Sequence, residues 1–279
     1  MRAITRWSIG VVAIALVGAT SEARAQSTGR LYDKWQIDLS GAVVIMGTTI
    51  RVDGDNGEGT EIDAEDVLGL SREKVQPRAS VRWRPGHRHE IELGYQFARR
   101  TAEKPLQRDI TFGDSTYTVG ADLKSNFHTD QVFLAYRFAI HAHERTQLGV
   151  GVAVGVLPFK LEVDRAASAG GAGVTSSSER NFTGPTGSLG VYGRFLLGDR
   201  WYLESDIRGI AIKIDRIDAK IVEGNLAGRY LLSDKLGVEL GYGISSVTVT
   251  VDPPADRKGF FGKIKYPLQN VRLGMVLTL

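Results

Sequence analysis

The sequence predicts an all-β fold: a transmembrane, antiparallel up-and-down β-barrel of ten strands, with eight strands as the alternative. Three observations carry this expectation. The stretch from Val271 to Leu279 puts Val271, Leu273, Met275, Leu277 and Leu279 on one face and Arg272, Gly274, Val276 and Thr278 on the other. That is the period of a strand with one apolar side, and its free edge requires a partner, which a closed barrel supplies by pairing last strand with first. Short and long connections alternate along the chain. Six aromatic residues fall at one level of one face.

Residues 1–25 read as a cleaved signal peptide and residues 26–279 as a single barrel domain. Arg2 and Arg6 form a basic start, Trp7 to Gly18 a short apolar core, and Ala23-Arg24-Ala25 a small-x-small cleavage site that leaves Gln26 first. The apolar run is shorter than the ~20 residues a membrane-spanning helix needs. The chain has no cysteine, so disulfides are excluded, as is a lipid on an N-terminal cysteine. Formal charge is +3, and loss of a leader with three arginines and one glutamate leaves +1. So even a balance gives no basis for binding nucleic acid.

The strands are expected at Trp35 to Val52, Val75 to Arg84, His89 to Arg100, Ser125 to Ile140 and Arg145 to Val163. They continue at Thr183 to Leu197, Trp201 to Ile214, Ala219 to Leu232, Leu236 to Val251 and Gly259 to Leu279. Pro85 to Arg88, His141 to Glu144, Gly198 to Arg200 and Ser233 to Lys235 are short turns. Asp53 to Lys74, Thr101 to Lys124, Asp164 to Arg180 and Asp252 to Arg257 are longer polar connections, and Asp215 to Asp218 is brief. This is the loop asymmetry of a membrane barrel. The glycine- and serine-rich run Ala166 to Ser178 is expected to be a flexible loop.

One parity of each strand is apolar, as in Ile91, Leu93 and Tyr95, or Leu148, Val150, Val152 and Val154. It brings Trp35, Trp83, Phe138, Phe195, Trp201 and Tyr230 to the short-turn end, a girdle at a membrane interface that a soluble sandwich does not need. The other parity carries Asp38, Glu90, Glu92, Glu204, Asp206, Glu223 and Glu239 with Arg78, Arg82, Arg137, Arg194, Arg208, Arg229 and Arg272. In a narrow barrel these are expected to pair as a structural network filling the lumen, rather than to line an open pore. Gly149, Gly151, Ala153 and Gly155 leave room for them on the fifth strand.

The segments Ile62 to Leu70, Arg78 to Glu92, Phe112 to Gly120 and Ser125 to Tyr136 resemble a widespread family of uncharacterised outer-membrane β-barrel proteins of Gram-negative bacteria, within the broad OmpA-like class of small barrels. The resemblance implies residence in the cell outer membrane among lipids and lipopolysaccharide, delivery by the barrel-assembly machinery through the C-terminal strand, and no particular chemistry. No cofactor or metal is expected. His87, His89, His141 and His143 gather at the first two short turns and read as interfacial turn residues rather than a metal site. His128 and Asp130 share a strand face that Ser125 does not, a weak basis for a lipid hydrolase. Asp53, Asp55, Glu58, Glu61, Asp63, Glu65 and Asp66 lack EF-hand spacing and read as a solvated acidic loop. A non-enzymatic barrel is therefore expected, with a narrow solute channel as the alternative.

Overall fold

The computed structural model describes residues 33–55, 57, 59–165, 177–253 and 261–279; the leader with Ala25 and Gln26, and residues 166–176 of the glycine-rich run, lie outside them. Ten strands form one closed antiparallel barrel. They are β1 Trp35–Met46, β2 Glu73–Gly86, β3 His89–Pro105, β4 Asp122–His143 and β5 Thr146–Arg165, then β6 Ser177–Leu196, β7 Trp201–Ile214, β8 Ile217–Leu231, β9 Leu236–Val251 and β10 Gly262–Thr278. Each pairs with its neighbours in sequence, and β10 returns to β1 with Gln36 opposite Thr278 and Val43 opposite Val271. The Trp35 N–H donates to the Leu279 carbonyl at 3.1 Å and the Leu279 N–H donates back at 2.9 Å. That pairing leaves the barrel without a free edge. Among the described residues no helix is long and apolar enough to cross a membrane, which says nothing of strands.

Two strands, Trp201–Ile214 and Leu236–Val251, have the bounds the pattern gives. Most of the others run further at the long-loop end. β3 continues to Pro105, β4 begins at Asp122 and β6 at Ser177, taking residues that read as loop. At the short-turn end β4 runs on to His143, so His141 and His143 belong to a strand and not to a turn. With 22 residues at ~3.3 Å each, β4 is far longer than the ~25 Å apolar band of a membrane barrel. The extra length projects from the long-loop end.

Polarity inverts partway along these long strands. In the half nearer the short turns, apolar residues face out: Leu39, Leu93, Leu134, Val150, Leu189, Leu240 and Leu273 are all exposed. In the other half they face in. On β5, Leu157, Phe159, Leu161 and Val163 are buried, while Lys160 is only half covered and faces out. On β9, Val247, Val249 and Val251 are buried between Thr248 and Thr250. The irregularities of the ladder, at Trp83/Gly86 and Ala139/His141, lie at the short-turn end; through the inversion the side-chain period of two holds and the chemistry assigned to each face is exchanged.

Two loops close the long-loop end. Short strands Thr49–Val52 and Ile62–Asp63 pair with each other, and the former also pairs with Gly262 to Lys265 at the start of β10. Ile110–Phe112 and Ser115–Tyr117 form a small hairpin, tied to the first loop by Thr60 N–H to the Thr111 carbonyl at 3.1 Å and Gly113 N–H to the Val52 carbonyl at 3.2 Å. Gly113 takes a positive φ of 62° at the tip of that hairpin, a conformation that suits glycine. Ile50, Val52, Ile62, Leu68, Leu70, Ile110 and Phe112 from these loops merge with Phe127, Phe159, Val249 and Tyr266 from the wall into one apolar core. The loops are therefore not simple polar connections. They form a lid packed into the barrel mouth.

Candidate functional site

The lumen has three storeys, set by which inward residues each strand contributes at each height. The lowest is charged. The Arg82 Nη1 of β2 donates to Glu204 of β7 at 2.9 Å, and these strands stand on opposite sides of a ten-strand ring. Glu204 also accepts from Arg194 at 3.0 Å. Glu90 accepts from Arg84 at 2.6 Å, from Arg194 at 2.6 Å, and from Arg137. Glu92, wholly buried, lies 2.9 Å from Arg137, 3.2 Å from Arg78 and 3.3 Å from Arg82. Glu239 binds Arg229 at 2.6 Å and Arg272 at 2.9 Å, while Asp38 lies 3.5 Å from Arg82 and 3.7 Å from Arg229. Arg208 holds Asp206 at 2.8 Å and Glu223 at 3.3 Å. Such charge-assisted, often forked contacts hold the two walls together directly.

The seven acids and seven arginines singled out by parity all point into this layer, but one member escaped that reading. Arg84 belongs there too, buried, with its Nη2 on the Gln36 side-chain oxygen at 3.1 Å. The layer therefore holds eight arginines against seven carboxylates. Strand adjacency places Glu90 and Glu92 beside Arg82 and Arg78; Glu92 meets both arginines, while Glu90 pairs with Arg84, Arg137 and Arg194. Small wall residues make the fit possible. A Cβ at Gly151 would lie 3.2 Å from the Arg137 Cγ, and one at Gly241 2.9 Å from the Arg272 guanidinium.

The middle storey is a chamber of about 100 Å³ of mixed lining, floored by Arg78, Arg208, Arg272 and Glu223 and walled by amides and a hydroxyl (Gln76, Gln96, Ser188, Asn225, Asn270) together with apolar groups such as Phe133, Leu157 and Leu268. Above it lies the apolar lid. The charges do not fill the whole lumen as the sequence suggested, because the inward positions turn apolar in the projecting half.

One ion pair is buried inside that lid. Arg100 of β3 donates to Glu65 of the first loop at 2.5 Å and to the Thr48 hydroxyl at 2.6 Å, and both charged side chains are 1% exposed. Its guanidinium also lies 4.8 Å from the centre of the Phe127 ring. The Thr48 N–H donates to the other Glu65 oxygen at 2.8 Å. Glu65 was read as part of a solvated acidic loop, and the structure corrects this: the carboxylate is the anchor of the lid. Neighbouring Asp66 does lie at the surface, where it accepts from Arg72 at 2.7 Å and thereby holds that guanidinium's pKa above its usual value. Asn56 and Glu58 lie outside the described residues.

Outside, Trp35 and Trp83 stack at 5.9 Å and Trp201 meets Tyr230 at 4.9 Å, at the short-turn end where Phe138 and Phe195 also face out. His89 joins them, with its ring Nδ1 2.8 Å from the Tyr136 hydroxyl. His141 and His143 stack at 6.2 Å, and among the described residues no group of histidines and acids is placed to hold a metal. Ser125 is buried and inward-facing while His128 and Asp130 face outward, so the three do not converge; Asp130 accepts from the Tyr95 hydroxyl at 2.8 Å instead.

Closed wall, apolar belt and charged interior together define a transmembrane β-barrel. No protein-family model matches the chain, and no curated protein matches it. Among solved structures, the translocator domain of autotransporter NalP from Neisseria meningitidis is similar, with 10% identity over 90% of this chain and 92% of that one and a TM-score of 0.48. The toluene transporter TodX of Pseudomonas putida has 10% identity over 91% and 92% of the two chains and a TM-score of 0.36. The outer membrane protein AlkL has 13% identity over 94% and 98% and a TM-score of 0.37. At these values the likeness goes no further than a general barrel architecture.

Proposed function

We propose that this chain is an integral outer-membrane β-barrel, non-enzymatic, whose lumen is sealed and whose long-loop face is the working surface, for binding or for envelope support. The observation that carries this is the double closure of the lumen. The Arg82–Glu204 contact joins opposite walls in the lower storey, and the lid held by Arg100 and Glu65 fills the mouth. The short turns and both ends of the barrel domain face the periplasm in this reading. The belt meets outer-membrane lipid, and the polar collar above it, with Arg99, Lys160 and Glu162, meets lipopolysaccharide. β10 is the strand offered to the barrel-assembly machinery.

A narrow solute channel is the alternative, and the chamber favours it, since space between two closures is what an occluded pathway contains. It requires both closures to open. A lipid hydrolase built on His128 requires Ser125 to leave the lumen. The separating experiment is conductance of the refolded mature chain in planar bilayers. An electrically silent protein supports the sealed barrel; large, steady steps from the unmodified chain replace it with the channel.

A further inference from the structure

The charged layer is one arginine in excess, and the surplus sits beside the chamber. Arg78 is the most exposed of its arginines, with 23% of its side chain open; among the described residues it makes one hydrogen bond, to Glu92 at 3.2 Å, and its guanidinium lies 5.0 Å from the centre of the Phe133 ring. Beneath the chamber a second void of about 30 Å³ shares Arg78, Arg208 and Arg272, and is lined further by Arg82, Arg137 and Arg229 against only Glu204 and Asp206. On the neutral side, Gln76 and Ser188 are at least nine-tenths buried, line the chamber, and make no side-chain hydrogen bond among the described residues. The carboxylates that line the chamber, Glu223 and Asp130, are already held by Arg208 and by the Tyr95 hydroxyl, and unspent donors facing a cavity are costly.

We propose that the chamber is an anion site, in which Arg78, Arg208 and Arg272 hold one small oxyanion while Gln76 and Ser188 donate neutral hydrogen bonds to it. Its volume of about 100 Å³ leaves room for one such ion. Guanidinium groups suit this role because their forked donors match two oxygens of a planar or tetrahedral anion. The inference goes beyond the closed barrel and needs only that a single small ion can pass closures that block a steady current. Conductance tests the seals and binding tests the arginines, so each can fail without the other.

The test is calorimetric titration of the folded mature chain in detergent with inorganic phosphate, at constant ionic strength. Saturable binding of one ion per barrel is expected, weakened at least tenfold by Arg78→Gln. Glu92 keeps Arg82 and Arg137 in that variant, so the layer retains its other contacts. Ala42→Met is the second variant: Ala42 lines the chamber, and the larger side chain fills it without changing a charge, so binding is lost there as well. Absence of saturable phosphate binding by the wild-type chain overturns the proposal. So does equal binding by wild type, Arg78→Gln and Ala42→Met, which would place the ion on the surface.

Discussion

The two halves of this barrel obey the same geometry and opposite chemistry. Near the short turns, Leu189 and Leu240 face out and Arg194 and Glu239 face in; beyond the belt, Lys160 faces out and Phe159 and Leu161 face in. The strands are continuous across the change, with β5 and β6 paired from Phe195 opposite Thr146 to Ser177 opposite Asp164. The exchange therefore reflects what lies on each side of the wall. Lipid outside leaves polar groups nowhere to go but inward, where they must satisfy one another. Water outside restores the ordinary arrangement of a soluble domain, with an apolar core under a polar surface. The molecule is a membrane barrel carrying a small soluble core as its lid.

Breaking the lid pair has the largest expected effect. Glu65→Ala leaves Arg100 buried without its carboxylate inside an apolar core, and removing one partner of a buried pair costs about 3–5 kcal/mol. Loss of heat resistance in unfolding followed by gel mobility is the measurement, and an unchanged transition would mean the lid does not depend on that pair. Next comes the lipid face. Leu189→Arg places a charge in the belt and is expected to cost about 2–4 kcal/mol. Lys160→Arg, on the outward face of the adjacent strand above the belt, is expected to leave stability unchanged. Equal tolerance at the two positions, by urea unfolding in liposomes, would remove the proposed boundary.

The smallest effect is a pH dependence in the collar. A hydrogen bond from Lys160, at 2.6 Å, holds the Glu162 carboxyl below its usual pKa. A depressed carboxyl contributes stability above its unfolded pKa and loses that contribution as pH falls through the folded value. Both groups are partly exposed, so solvent screening keeps the contribution slight. Lys160→Gln is expected to flatten this acid-side slope in a pH series of melting curves, through a slight loss of stability near neutrality and none at low pH.

The period-two alternation made the barrel and its ten strands legible, and it indicated which residues of the lower storey point inward. It could not name partners across the lumen. The contact of Arg82 with Glu204 joins residues 122 apart, and depends on how many strands close the ring. Arg84 was legible by parity but stood beside the Pro85-Gly86 turn, where the strand reads as finished. The inversion was also written in the sequence, in Leu157-Pro158-Phe159-Lys160-Leu161-Glu162-Val163, where the polar residues take the face that is apolar lower down. Taking the outward face to be apolar throughout hid it. The lid was not legible at all, because Glu65 meets Arg100 only after a charged loop folds back into the mouth.

The central claim is that two independent closures lie in series, and single-channel recording across four proteins tests it most directly. Wild type, Glu65→Ala and Arg82→Ala are each expected to stay silent in planar bilayers, since one closure remains in every case, although both variants melt earlier. The double variant Glu65→Ala with Arg82→Ala is expected to conduct. Steady conductance from the wild-type chain, or from either single variant at the level of the double, would contradict two closures in series.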